Sequence, residues 1–104
     1  MSNLTNSFPV NEIVPHNVYF DGKVQSLGLE TSKGKATLGV MKEGTYTFSA
    51  SSPEKMIIIS GSMGVKLHDA DYQQYKAQDE FNVLAGTSFE VICDSDVAYL
   101  CYYG

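Results

Sequence analysis

Glu54 is the residue of this sequence best placed to do chemistry. It follows a proline and opens the apolar run Met56–Ile59, so it begins a hydrophobic β-strand. Because side chains alternate along a strand, Glu54, Met56 and Ile58 share one face. A carboxyl group facing a core of methionine and aromatic rings has its pKa raised by desolvation, and it can act as an acid, a base or a hydrogen-bond anchor. The alternative is a strand-end glutamate in water beside Lys55.

The spacing around Glu54 is similar to the metal-binding motif of cupin barrels. That motif runs from a glycine through His-x-His to a glutamate, and six residues separate the glutamate from a second glycine. Glu54 and Gly61 keep this last spacing, but Thr45–Phe48 occupies the place of His-x-His. A second cupin motif ends in histidine, where this chain has Phe89. The sequence therefore predicts a cupin-like barrel that has lost its metal ligands.

The small number of other metal-binding side chains also argues against a metal site. Zinc, iron and manganese sites need three or four converging His, Cys, Asp or Glu side chains. The chain has only His16 and His68, and neither falls at a cupin ligand position. We therefore expect no metal and no cofactor. A metal site built on Glu54 and Asp79 is the alternative.

Composition limits the class of protein. A chain of 104 residues forms one domain. Its net charge is −5, and all seven basic residues are lysines. This composition argues against nucleic-acid partners, which arginine forks usually bind, and against an anionic membrane surface.

The two cysteines do not form a disulfide framework. Pairing around the expected turn at 94–96 would bring Cys93 near Val97 and Cys101 near Phe89, which keeps the two thiols apart. We expect both to be reduced and the protein to be cytoplasmic.

The chain divides into a short extension and a β-domain. Residues 1–16 show no sustained periodicity and are predicted to form an N-terminal extension. Residues 17–104 contain nine or ten short strands separated by turn residues, and no window has a helical period. We predict an all-β fold, a single cupin-like double-stranded β-helix, or jelly-roll barrel. The run Met56–Ile59 predicts a central strand buried on both faces.

The strand aromatics are candidates for a binding slot as well as for the core. A small barrel rich in tyrosine and poor in charge suits a flat aromatic ligand. The strand phase is open at one point. Spacing from Gly39 favours Thr45 and Thr47 pointing inward. Spacing from Glu54 instead favours Tyr46 and Phe48. The candidate lining residues are Tyr46, Phe48, Met56, Phe89 and Tyr99.

No glycine-rich phosphate loop is present. A phosphate would have to be bound by lysines, hydroxyl groups and turn amides. Lys23, Lys42 and Thr47 are candidates by residue type. A solvated surface position is the alternative for each lysine.

Several short segments together resemble one family, the small bacterial pyrimidine/purine nucleoside phosphorylases of cupin type. The resemblance covers about residues 17–103, and its joint order and spacing make it specific. The segments are Asn17–Val24, Gly39–Met41, Gly44–Phe48, Pro53–Met56, Ile59–Gly61, Phe81–Val83 and Tyr99–Tyr103.

The resemblance implies a fold and an activity. The fold would be a single cupin-like barrel, and two copies of the chain would form a homodimer. The activity would convert purine and pyrimidine nucleosides plus phosphate into free base and ribose 1-phosphate, without a metal. Glu54 would hydrogen-bond the ribose or the base inside the aromatic slot. The alternatives are a non-catalytic cupin that binds a nucleobase or sugar, and a purely structural β-barrel subunit.

Overall fold

The structure is a computed structural model that describes residues 13–104. This part of the chain contains ten β-strands, one short 3₁₀ turn and no α-helix, which confirms the all-β prediction. Within it, no helix has the length and hydrophobicity needed to cross a membrane. The elements are β1 (His16–Tyr19), the 3₁₀ turn (Phe20–Gly22), β2 (Val24–Thr31), β3 (Gly34–Met41), β4 (Gly44–Ala50), β5 (Glu54–Ser60), β6 (Ser62–Lys66), β7 (Tyr72–Lys76), β8 (Glu80–Val83), β9 (Thr87–Cys93) and β10 (Val97–Tyr103).

The strands form two antiparallel sheets. The six-stranded sheet has the order β1-β2-β3-β10-β5-β8, and the four-stranded sheet has the order β4-β9-β6-β7. Residues from both sheets contribute to a single cluster of buried hydrophobic side chains. Two sheets that enclose one core are the jelly-roll arrangement that the sequence predicts.

The alternation of side chains on β10 shows how the sequence produces this arrangement. Val97, Tyr99 and Cys101 point inward and are at most 6% exposed, whereas Ala98 and Leu100 point outward and are partly exposed. Strand β10 pairs with both β3 and β5, so its inward residues lie at the centre of the larger sheet.

Gly61 makes the tight connection between β5 and β6 that the sequence predicts. Its φ of +87° is in the region that favours glycine, and a Cβ there would come within 2.5 Å of the Asp96 carbonyl oxygen. The second glycine of the cupin-like motif is therefore required by the backbone and not by a ligand.

Two expectations about side-chain environment are wrong. Strand β5 is not buried on both faces, because Ile59 on its outer side is 47% exposed. The two cysteine strands do not pair around the 94–96 turn, because β9 and β10 belong to different sheets. Cys93 instead lies opposite Gly44, and Cys101 lies opposite Thr37. Both cysteines are buried and free.

The predicted extension, residues 1–16, lies mostly outside the described residues. At its end, the carbonyl of Pro15 accepts a hydrogen bond from the Gly28 amide at 2.9 Å, and His16 begins β1. Residues 15 and 16 are therefore already joined to the edge of the larger sheet.

Candidate functional site

The inner face of the six-stranded sheet changes from apolar to polar along its strands. At one end Val24, Met41 and Val97 are paired across three strands and are at most 1% exposed. Further along these strands, and on the adjacent β1 and β5, the side chains carry hydroxyl, amide and carboxyl groups. These polar residues are Asn17, Ser26, Thr37, Glu54, Tyr99 and Tyr103.

A pocket of about 180 Å³ opens at this polar end, between the two sheets. Most of the residues that line it are aromatic or aliphatic. Among the described lining residues, Glu54 is the one that carries a carboxyl group. The chemistry of this lining, though not a particular size, is that of a site for a flat ring with a few hydroxyl groups. Its lining residues are Tyr19, Ser26, Met41, Phe48, Ser49, Glu54, Met56, Phe89, Tyr99, Cys101 and Tyr103.

Glu54 is half-buried in this pocket, at the start of β5. Its Oε1 lies 3.7 Å from the Sγ of Cys101, which donates a weak hydrogen bond to it. Burial raises the pKa of the Glu54 carboxyl, and the thiol contact opposes that shift in part. Burial also raises the pKa of Cys101 to about 12, which keeps this thiol protonated at neutral pH.

Tyr103 and Thr37 form a second polar pair, after the pair of Glu54 and Cys101. Tyr103 lies opposite Glu54 in the register of β10 and β5, and its Oη is 2.9 Å from Oγ1 of Thr37. Burial raises the pKa of the Tyr103 phenol as well, so it remains a neutral hydrogen-bonding group. The carboxyl of Glu54 thus shares the pocket with an uncharged thiol and an uncharged phenol.

The opposite wall of the pocket is a stack of aromatic rings from the four-stranded sheet. Phe48 and Phe89 lie directly opposite each other on β4 and β9, with ring centroids 5.5 Å apart and planes at 28°. Phe20, in the 3₁₀ turn between β1 and β2, packs edge-on against Phe48 with ring centroids 5.5 Å apart. These contacts hold a flat apolar surface against which a planar base can stack.

Tyr99 stands on the polar side of the pocket and depends on Gly39. A Cβ at Gly39 would come within 2.4 Å of both Cζ and Oη of Tyr99. The backbone of β3 therefore lies against the tyrosine ring, which is why a strand residue here lacks a side chain. A β-bulge in the β10–β5 pairing between Ala98 and Tyr99 adds to the local irregularity.

Five residues predicted for the site come together in this pocket: Phe48, Glu54, Met56, Phe89 and Tyr99. The open question of strand phase is also answered, because Tyr46 is buried while Thr45 and Thr47 are exposed. Tyr46 does not line the pocket. It packs behind Phe48, and its hydroxyl donates to the Lys42 carbonyl oxygen at 2.7 Å.

The residues predicted to bind phosphate lie elsewhere. Lys23 and Lys42 border a groove on the outside of the larger sheet, and Lys42 forms an ion pair with Asp96 at 2.9 Å. Thr47 borders a third depression on the outside of the smaller sheet. Strand alternation explains this placement for Thr47, because its neighbours Tyr46 and Phe48 point inward.

The pocket occupies the place of the cupin metal site. Glu54 and Phe89, which stand at ligand positions of the two cupin motifs, line the same cavity. A phenyl ring offers no lone pair to a metal. Within residues 13–104, no three His, Cys, Asp or Glu side chains are grouped closely enough to hold a metal ion.

Comparison with known sequences identifies the family. A family model described as pyrimidine/purine nucleoside phosphorylase matches residues 14–103. A protein of that name from Escherichia coli K12 is 47% identical over 89 residues, which cover 84% of this chain and 95% of that protein. The relative from Shigella boydii matches to the same extent. This chain belongs to the pyrimidine/purine nucleoside phosphorylase family.

Solved structures agree with this assignment to the phosphorylase family at the level of fold. A Vibrio parahaemolyticus protein of unknown function superposes with a TM-score of 0.82 at 36% identity, over 86% of this chain and 97% of that one. An Acinetobacter protein of unknown function gives 0.81 at 33% identity, over 88% and 91%. An RmlC-like cupin from Shewanella frigidimarina gives 0.68 at 15% identity, over 90% and 86%, which confirms the cupin-like fold.

Several residues of this phosphorylase-family pocket were not among the sequence candidates. Cys101 and Tyr103 share the inward face of β10 with Tyr99, so strand alternation alone could have found them. Tyr19 and Ser26 carry no such signal, because their place in the pocket depends on β1 and β2 pairing beside β3.

Proposed function

We propose that this protein is a nucleoside phosphorylase that converts purine and pyrimidine nucleosides plus phosphate into free base and ribose 1-phosphate. The observation that carries this proposal is the family match over residues 14–103. The pocket supports it chemically, since it offers one carboxyl group, several hydroxyl groups and an aromatic wall. The reaction class is glycosyl transfer, with phosphate as the acceptor.

The pocket residues suit the demands of this reaction. Breaking the glycosidic bond builds positive charge on the ribose and negative charge on the departing base. Glu54 is placed to accept hydrogen bonds from ribose hydroxyls, and these bonds strengthen as the sugar becomes positive. Phe48 and Phe89 provide the stacking surface for the base. Stacking contacts the face of a base and few of the polar groups on its edge. It therefore discriminates weakly between purines and pyrimidines.

Lys23, Lys42 and Thr47, the residues predicted by type to bind phosphate, lie on the outer faces of the two sheets. The two lysines share one outer groove with Leu27, Leu38 and Val40, and none of the three lines the Glu54 pocket, so none is placed to bring phosphate to a ribose bound there. A double variant, Lys23→Met with Lys42→Met, separates the possibilities. We expect an unchanged KM for phosphate, and a raised KM for phosphate at unchanged KM for nucleoside would contradict a ribose bound in the Glu54 pocket.

The proposed enzyme works without a metal ion, in the cytoplasm. The aromatic ring of Phe89 at a cupin ligand position supports the first statement. The free, buried thiols of Cys93 and Cys101 support the second, because reduced cysteines are usual in that compartment.

We also propose that the enzyme is a homodimer, formed through the outer face of the six-stranded sheet. Four aliphatic side chains of β2, β3 and β5 are 47–52% exposed there, and they border one groove: Leu27, Leu38, Val40 and Ile59. Leu27 lies directly opposite Leu38, so the exposed surface is continuous and not scattered. A contiguous apolar patch of this kind is typical of an interface, and a second copy would cover it by symmetry.

Replacing Leu38 by aspartate is expected to convert the dimer into a monomer. The new carboxylate would be buried without a partner at the centre of the interface, which costs several kcal/mol. Sedimentation equilibrium measures the result, and Leu84→Asp is the matched control, because Leu84 is 75% exposed in a turn outside this face. A Leu38→Asp protein that remains dimeric would contradict this choice of interface.

A further inference from the structure

Ser26 is an unusual residue for the inside of this fold. It is the one polar residue among the described residues that is buried, at 4% exposure, and it faces the pocket from β2. Its Oγ lies 3.2 Å from Nδ2 of Asn17 on β1, directly opposite in register. Gly39 lies opposite Ser26 on one side and opposite Tyr99 on the other, and the Tyr99 hydroxyl reaches over Gly39, which brings it towards Ser26. The three side chains therefore lie in one row across β1, β2 and β10, and Ser26 and Tyr99 line the pocket.

The chemistry of these groups determines which of them donates a hydrogen bond and which accepts it. An amide nitrogen donates and does not accept, so the Ser26 oxygen is the acceptor for Asn17. The serine proton is then free to be donated to the Tyr99 oxygen. Tyr99 accepts that bond and keeps its own proton for a partner in the pocket. Successive donors in such a chain polarise one another, which strengthens the last donor.

Tyr99 is held in the form that can donate. Burial raises the pKa of its phenol to about 12, and the bond from Ser26 opposes the shift in part. The ring lies against Gly39, so the hydroxyl oxygen is held in position. A rigid, neutral donor in a largely apolar pocket is the arrangement that stabilises charge developing in a transition state.

We propose that the Asn17–Ser26–Tyr99 chain aims the Tyr99 proton at the departing base, whose negative charge it stabilises. This proposal rests on the proposed phosphorylase activity. A phosphate oxygen forms the new bond to C1′ while the C1′–N bond breaks, and the electron pair of that bond passes to the base. Tyr99 donates a hydrogen bond to the resulting anion and retains its proton, and the base is protonated afterwards by water.

The order of residues along β10 separates the two polar groups that a nucleoside would meet. Tyr99 and Cys101 are successive inward residues of β10, which places their Cα atoms about 7 Å apart. Cys101 contacts Glu54, so the donor at Tyr99 and the carboxyl at Glu54 lie towards different ends of the cavity. A bound nucleoside would then have its base beside Tyr99 at one end of the cavity and its ribose beside Glu54 at the other.

Tyr99→Phe tests the proposal with two substrates. Uridine releases an anionic base, whereas 7-methylguanosine carries a positive charge on its base and releases it neutral. We expect kcat/KM of Tyr99→Phe to fall about 30-fold for uridine, the loss expected for one hydrogen bond to a charged group. For 7-methylguanosine we expect a fall below about 3-fold. Tyr72→Phe, on the outer strand β7, is the matched control and should behave as wild type with both substrates.

A second pair of variants tests the chain itself. Ser26→Ala should show the same preference for loss on uridine, and Ser26→Thr, which keeps the hydroxyl, should restore most of the activity. Equal losses on both substrates in Tyr99→Phe or in Ser26→Ala would overturn the role assigned to Tyr99. Failure of the wild-type protein to release base from either substrate with phosphate would instead overturn the phosphorylase proposal.

Discussion

Glu54→Gln is expected to lower kcat/KM about 100-fold for both uridine and adenosine. Glutamine keeps the shape of the side chain, but it removes the charge that strengthens hydrogen bonds to the ribose as positive charge develops there, an effect of about 1.5–3 kcal/mol. The loss should be similar for the two nucleosides, because Glu54 is proposed to contact the sugar they share. Initial rates at several concentrations of each nucleoside, with phosphate in excess, measure it.

Glu30→Gln is the matched control for this variant. Glu30 is an exposed carboxylate that pairs with Lys35 at 2.8 Å on the surface of the same sheet, so its neutralisation should leave both substrates unaffected. Equal kcat/KM in Glu54→Gln and wild type would remove Glu54 from the mechanism.

The same variant should make the protein more stable at neutral pH. Burial raises the folded-state pKa of Glu54, so the folded state disfavours the ionised form relative to the unfolded chain. This penalty is absent below the unfolded-state pKa, appears as pH rises through the folded-state pKa, and is complete above it. Thermal unfolding of Glu54→Gln should therefore show a raised Tm at pH 7 and no difference from wild type at about pH 3.

Gly39→Ala is expected to disrupt the pocket through a single methyl group. The added Cβ would lie 2.4 Å from Cζ and Oη of Tyr99, so the ring has to move. Overpacking of this kind costs about 1–3 kcal/mol, and for a domain of this size each kcal/mol lowers Tm by about 4–8 °C. Activity should fall with stability, because the displaced ring takes its hydroxyl away from Ser26 and from the substrate.

Gly64→Ala separates this effect from the general cost of changing a strand glycine. Gly64 is buried in β6, but a Cβ there would find its nearest neighbour at 3.5 Å, an ordinary contact. Its Tm and kcat/KM should stay close to wild type. Similar losses in both variants would contradict the specific contact between Gly39 and Tyr99.

Local patterns in the sequence were sufficient to predict the elements of the fold. Period-two alternation and turn residues located nearly all the strands, and the spacing from Glu54 to Gly61 placed the carboxyl correctly at the start of β5. Phe89 was found because it stands at a motif position. These signals lie within one strand or one turn, where residue types decide the conformation.

Features that depend on pairing between distant strands were not predictable in this way. Ser26 becomes part of the pocket only because β2 lies between β1 and β3, which brings Asn17 beside it. Lys23 and Lys42 were chosen by residue type, and the type of a side chain does not say which face of a sheet it occupies. The exposure of Ile59 was missed for a similar reason, since an apolar run does not reveal whether its outer face is covered within the chain.

The central claim is tested most directly by incubating the wild-type protein with uridine and adenosine, with and without phosphate and with and without EDTA. Chromatography then measures free base and ribose 1-phosphate. The account predicts release of both uracil and adenine only when phosphate is present, at rates that EDTA does not change. Nucleoside binding without release of base, or loss of activity in EDTA, would contradict it.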